Sequence, residues 1–218
     1  MTIGTSADVI KTKLVTKAGY DPVKTLGINP SRFFTSTPLS KVLIGSGGSR
    51  RLGIIFPYNP TLNLQGSVAY GQYDLTHTNY QPHFYTATQN QQITLGFHLT
   101  ASTLEEADYM IGFMHFLRTI TKMHYGKGDK ELAGTPPPVL EFSSYGDYQF
   151  KNVPVLLRNY SFDQTGEYQY VNTSFNTQVP TFLTGFVDII TQYTPGKVLD
   201  KFTLKDFATG NLIKGGYV

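Results

Sequence analysis

The clearest pattern of apolar and polar positions runs from Gln91 to Gly126. Ile93, Leu95, Phe97 and Leu99 alternate with Thr94, Gly96 and His98, the period of two of a strand with one buried face. At Leu104 the period changes. Leu104, Ala107, Ile111, Met114, Leu117 and Ile120 recur at spacings of three and four, which makes one apolar stripe on a helix. Ser102 and Glu105 have the spacing of a capping box. Glu105, Glu106 and Asp108 sit at the positive end of the helix dipole, and Arg118 and Lys122 near its negative end. Gly126 and Gly128 can end it. The pattern predicts a helix over about 103–123 and no other long helix.

Elsewhere the pattern predicts strands and turns. Leu52, Ile54 and Phe56 alternate up to Pro57. Residues 62–75 form a tyrosine-rich strand with Gly66 and Gly71 inside it, a sign of bulges or close backbone approach. Residues 77–82 turn the chain. Residues 84–88 and 91–99 make one long strand or a hairpin about Gln89-Asn90. After the helix come a charged loop and Gly134-Thr135-Pro136-Pro137-Pro138, a stiff polyproline connector. Strands follow at 139–142 and 150–162. Pro154 places the second of these on an edge or at a bulge. From Thr181 to Tyr193 both parities are apolar, which predicts burial on both faces, one by the core and one by a neighbouring subunit. Pro195-Gly196 turns the chain, and Phe202, Leu204 and Phe207 mark a last short element. Residues 1–50 show weak periodicity and read as an extended arm, with a short strand at 41–44 and a flexible glycine link at 45–49. The expected organisation is a basic arm over 1–50 and a β domain over 51–218. The expected class is mainly β (β-rich α+β): packed antiparallel sheets or a barrel with one flanking helix.

Composition sharpens this. The chain has 218 residues, 15 Tyr and 15 Phe but no Trp, and only 15% charged residues. Aromatics favour sheets. So little charge suits a subunit of an assembly better than a free monomer. Without Cys there is no disulfide framework, thiolate metal site or cysteine nucleophile. The N-terminal stretch MTIGTSADVIKTKLV has no continuous apolar core, so no signal peptide is expected. No apolar run approaches the ~20 residues of a membrane-spanning helix. The net charge of +3 is uneven. Residues 1–51 hold eight basic side chains against Asp8 and Asp21, and the remainder holds ten basic against thirteen acidic. A basic arm therefore precedes a mildly acidic body; it is an ordinary solvated segment, one that docks on an acidic partner surface or, third because its basic residues are dispersed rather than clustered, one that binds nucleic acid.

Motifs for chemistry are weak. There is neither GxGxxG nor GK[ST]. The five histidines, His77, His83, His98, His115 and His124, show no HExxH and no i, i+4 pair, so no metal is expected. No GxSxG elbow appears. Glu141 and Glu167 are the nearest thing to a glycosidase pair, but carboxylates near β turns are usually surface charges. Tyr70, Tyr73, Tyr80 and Tyr85 lie in a stretch, 52–100, without one Lys or Arg. That stretch lacks the cations needed to hold nucleic acid. It suits protein contact, where rigid aromatics cover area at small entropic cost. No enzyme activity and no cofactor are expected.

Six motifs in chain order carry a family resemblance: IIFPYNPTL (54–62), HTNY (77–80), EEADYMIGFMHFLRTITKMHYG after Thr103, GTPPPVLEFSSYGDYQFKNVPVLL (134–157), QVPT (178–181) and FTLKDFATGNLIKGGY (202–217). Together they resemble the tail-tube initiator or baseplate tube-junction proteins of contractile-tailed bacteriophages, over roughly 52–217. The arm matches nothing in that pattern. The resemblance implies a tail-tube fold and a homo-hexameric ring in the virion baseplate, assembled in the host bacterial cytoplasm. The ring joins a central hub protein to the tail tube protein, or to a second initiator ring, and templates the tube. Genomic DNA crosses the lumen only in transit, and no membrane is involved. Baseplate wedge or sheath proteins are candidate partners for the arm. The expected contact residues are Phe56, Pro57 and Tyr58, then His77, Asn79 and Tyr80, then Thr135, Pro136, Pro137 and Pro138, each set against the plainer reading of packing within its own domain. The alternatives are a major tail tube or tail terminator protein and a carbohydrate-binding β protein with a cleft at Tyr145 and Tyr148.

Overall fold

A computed structural model describes residues 11–18, 20, 33, 36–45, 50–126, 133–164, 166 and 169–218. Twelve strands are described: β1 (Lys13–Thr16), β2 (Leu43–Ile44), β3 (Arg51–Ile55), β4 (Thr61–Gln65), β5 (Val68–Gln72), β6 (His83–Thr88), β7 (Gln92–Thr100), β8 (Leu140–Ser144), β9 (Phe150–Asp163), β10 (Tyr170–Asn172), β11 (Gln178–Pro180) and β12 (Phe182–Thr191). One long helix, α1 (Leu104–Ile120), interrupts them. Three short helices close the chain: α2 (Pro195–Lys201), α3 (Leu204–Ala208) and α4 (Asn211–Lys214). The class is the β-rich α+β expected from the pattern.

Eight strands form one antiparallel sheet in the order β2-β3-β1-β8-β9-β12-β7-β4. β3 and β4 stand near opposite ends of that order, yet only residues 56–60 connect them. Five extended residues span at most about 18 Å. The sheet is therefore rolled until its ends approach. Phe56, at the exit of β3, meets Phe97 of β7 at 5.7 Å, which bridges the gap across the roll.

α1 fills the roll. Its capping box is Thr103 with Glu106, one residue later than the Ser102–Glu105 box expected. Ala107, Ile111, Met114, Leu117 and Ile120 are buried as the stripe requires, but so are Met110, Phe113 and Phe116. Leu104 is half-exposed instead. A helix buried nearly all round has neighbours on every side. β3 and β7 pack on one side, and the 3-10 turn Pro38–Val42 and the β10–β11 ribbon on others. Gly112 permits the closest of these approaches: a Cβ there would lie 2.7 Å from the Pro38 carbonyl oxygen.

The expected arm over 1–50 is corrected by its described residues. β1 lies inside the sheet, paired to β3 on one side and β8 on the other. Leu14 and Val15 are buried, and Thr12 hydrogen-bonds Ser144 at 2.6 Å. The segment is a central strand, so residue 50 is not a domain boundary. The glycine link at 46–49 lies outside the described residues. Pro154 is also corrected: β9 is neither an edge nor bulged there. Its carbonyl accepts from Gln192 just beyond the last β12 pair, Thr191 with Val155. The missing donor falls where β12 runs out.

Candidate assembly surfaces

Two surfaces stand out. The first is a ribbon. β4 pairs with β7, and past Gly66-Ser67 and Gln89–Gln91 the same two chains continue as β5 paired with β6. Residues 61–100 are thus one long hairpin with a break in the middle, crossed by the Gln89 N–H bond to the Ser67 carbonyl. No other described element packs extensively on the outer half. Val68, Tyr70, Tyr73, Leu75, Tyr80, Phe84 and Tyr85 are all at least 40% exposed. Tyr70 meets Tyr85 edge-on, and Phe84 lies over Gly71, where a Cβ would come within 2.3 Å of the ring. Glycine leaves the slot that the ring fills, as the tyrosine-rich strand led one to expect. The tip is clamped by Gln81, whose amide accepts from the Leu75 N–H and donates to the Leu75 carbonyl.

The second surface is the outward face of the upper sheet. β9, β12, β7 and β4 form a four-stranded slab whose inner residues, Val187, Ile189, Ile93 and Leu95 among them, are core. The outward residues of β12 are Phe182, Thr184, Phe186, Asp188 and Ile190, all half-buried. The apolar second parity in that strand is therefore real. Level with Asp188 are Thr94, Asn63 and Asn159, one row across the slab. Thr94 donates to the Asp188 carboxylate at 2.6 Å, and Arg158 reaches Gln92 at 2.8 Å. The charges on this face are Arg158, Asp163 and Asp188. It carries no lysine.

The expected contact residues divide. Phe56 is fully buried against Phe97 and Phe113. It is a core residue of its own chain, a correction, because the exit of β3 points into the roll. Pro57 and Tyr58 are exposed. Tyr58 stacks on His98 at 4.7 Å, and its hydroxyl pairs with Thr100. His77, Asn79 and Tyr80 form the exposed tip of the ribbon, with Tyr80 at 88% exposure. His77 adopts a left-handed φ of 59°. Thr135 is tied back to His124 through its carbonyl, while Pro136 and Pro137 are exposed and Pro138 half-buried. The three segments make their contacts elsewhere and form no single cluster. Pattern reading missed the slab's open edges, because an edge is a relation between strands that no window of sequence contains.

Charges of the N-terminal part find carboxylates of the same chain. Lys41 pairs with Asp108 at 2.9 Å and Arg51 with Glu141 at 2.7 Å. Asp108, on α1 and 3% exposed, also accepts from the N–H and hydroxyl of Ser174. Burial pushes its carboxyl up, but Ser174 and the Lys41 ammonium outweigh that and hold it below the usual carboxylate range. Tyr109 ties α1 to β3, donating to the Ile55 carbonyl and accepting from its N–H. Burial pushes its hydroxyl up to about 12.

Glu141 is occupied by Arg51, and Glu167 lies outside the described residues. The Tyr145 hydroxyl donates to the Pro60 carbonyl, and the Tyr148 ring is capped by Lys214 at 4.5 Å. Those two rings are engaged with their own chain. Among the described residues no group of three or more His, Asp or Glu side chains comes together to hold a metal ion. Nor is any helix among them long and apolar enough to cross a membrane. No protein-family model matches the chain, and no curated protein does.

Proposed function

We propose that this chain is a structural subunit of a contractile phage tail: six copies close into a ring at the baseplate, join the hub to the tube and template the first tube ring. The slab carries this reading. It presents a broad face of Thr, Asn, Gln and Ser around Phe182, Phe186 and Ile190, with one arginine against two aspartates. A channel wall that DNA must cross without stalling needs such a surface, since clustered cations would grip the phosphates. The aromatic ribbon supports it from the other side. An isolated two-stranded ribbon is marginal in water, so one this apolar gains its stability by packing on another molecule. The six ordered motifs supply the specific identity, a likeness in sequence alone. Wedge or sheath proteins remain the proposed partners of residues 1–10, which lie outside the described part.

Cryo-electron microscopy of the particle that carries this chain tests the proposal. Six copies in one ring between hub and tube are expected. Dozens of copies stacked along the tail would make it the tube protein. Absence from any ring would overturn the structural reading.

A further inference from the structure

Residues 194–218 form a lobe that neither the ribbon nor the slab explains. α2, α3 and α4 run seven, five and four residues, and none of them holds a buried residue. Helices this short are marginal in water unless something covers a face of them. What mounts the lobe is its tail. Tyr217 is buried, stacks on Tyr193 at 5.0 Å and donates its hydroxyl to the Lys197 carbonyl. Gly216 makes the seat possible: its φ is 85°, and a Cβ there would lie 2.8 Å from the Asn152 carbonyl oxygen. The lobe is thus fixed to the body while its own helices stay open. Leu199 and Leu204 are 86% and 75% exposed, and Phe202 43%. Apolar groups exposed together in this way mark a docking surface.

Charge says what kind of surface would cover them. Residues 194–218 hold four lysines against two aspartates, whereas residues 52–193 hold six basic side chains against eleven acidic. The lobe is the basic pole of an acidic body. Lys197 lies over the Tyr217 ring and Lys214 over the Tyr148 ring. Lys201 and Lys205, which bracket Phe202 and Leu204, form no ion pair among the described residues. Exposed leucines beside uncommitted ammonium groups are the counterpart of an apolar surface edged with carboxylates. We propose that the α2–α4 lobe docks a different polypeptide, whose apolar, carboxylate-edged surface covers Leu199 and Leu204 and pairs with Lys201 and Lys205. A second copy does not suit a single ring. The lobe follows β12 and meets β9 at Lys151-Asn152, near where that strand begins. A copy docked there by its acidic body would be added end to end, and rings would stack without limit. This rests on the ring reading above, since a tube protein has no such limit.

Zero-length carbodiimide coupling in the particle that carries this chain, read by mass spectrometry, tests it, because the reagent joins a lysine amine only to a carboxylate in contact with it. Cross-links from Lys201 or Lys205 to Asp or Glu of a different polypeptide are expected. A chain with Leu199→Ser and Leu204→Ser should melt as the parent does in isolation and enter particles at least about tenfold less. Cross-links to another copy of this chain would overturn the proposal. So would lysines that acetylate in the particle as fast as in the isolated chain, which would mean a solvated lobe. Lysines protected yet uncoupled would mean an uncharged partner and would overturn it too. Six copies in one ring with either of the last two results would leave the ring reading standing. Coupling to a different polypeptide in a particle without such a ring would sink the ring reading and leave the docking site.

Discussion

Asp108 holds three parts of the molecule at one carboxylate: α1, the 3-10 turn through Lys41, and the β10–β11 loop through Ser174. Its replacement by alanine removes both Ser174 hydrogen bonds and the Lys41 ion pair. We expect a loss of about 1–3 kcal/mol, read by denaturant melts. The depressed carboxyl sets a pH dependence. Its contribution is complete above the ordinary carboxylate pKa and is lost as pH falls through that value towards the lower folded one. His115 adds an earlier step. Burial, then the Arg118 charge, hold its imidazole below the ordinary value, so stability begins to fall as pH drops through about 6.5. Asp108→Asn should flatten the lower step and leave the upper one. Phe56 and Tyr80 make a second contrast. Phe56→Ala opens the aromatic cluster and should cost about 3–5 kcal/mol. Tyr80→Ala, at the exposed ribbon tip, should leave the melt unchanged and act on assembly. The misread capping box belongs to this scale too. Ser102 and Thr103 precede Glu105 and Glu106 in step, so two boxes fit the spacing. The packing of Ala107 and Met110 chooses between them, which is a tertiary decision.

Among the elements, β7 and α1 were legible because each carries its period over nine residues or more. β1 was not. It is four residues long, buried on both faces, and recruited by partners far along the chain. Nothing local distinguishes it from the weakly patterned residues on either side. The ribbon was legible as chemistry, tyrosines without cations, but its projection from the body was not. Replacing Tyr70, Tyr73 and Tyr85 together by serine should leave the melting temperature of the isolated chain within about a degree, because the ribbon adds little to the core. The same variant should lose assembly, measured by sedimentation. An equal loss of both would mean that the ribbon packs on its own body.

At the scale of the whole molecule, the roll closes only because β1 joins β3 to β8. Removing residues 1–16 exposes the buried side of both and splits the sheet. The truncated chain should fail to give a cooperative melt. Had the segment been a solvated arm, the melt would be unchanged. Closure of the roll could have been read from the five-residue link between β3 and β4, had the strand order been known. The order itself is non-local, and that is where reading the chain in windows ends.

The place of β1 also sets a clock. Thr12 and its partner Ser144 are 132 residues apart in sequence. At about 5–20 residues per second, a ribosome takes roughly ten seconds to synthesise that interval. For most of it, Leu14 and Val15 have at most one of their two neighbouring strands in place. A chain made this way spends its infancy with an open, apolar seam, and the cell must keep nascent copies apart until the eighth strand arrives.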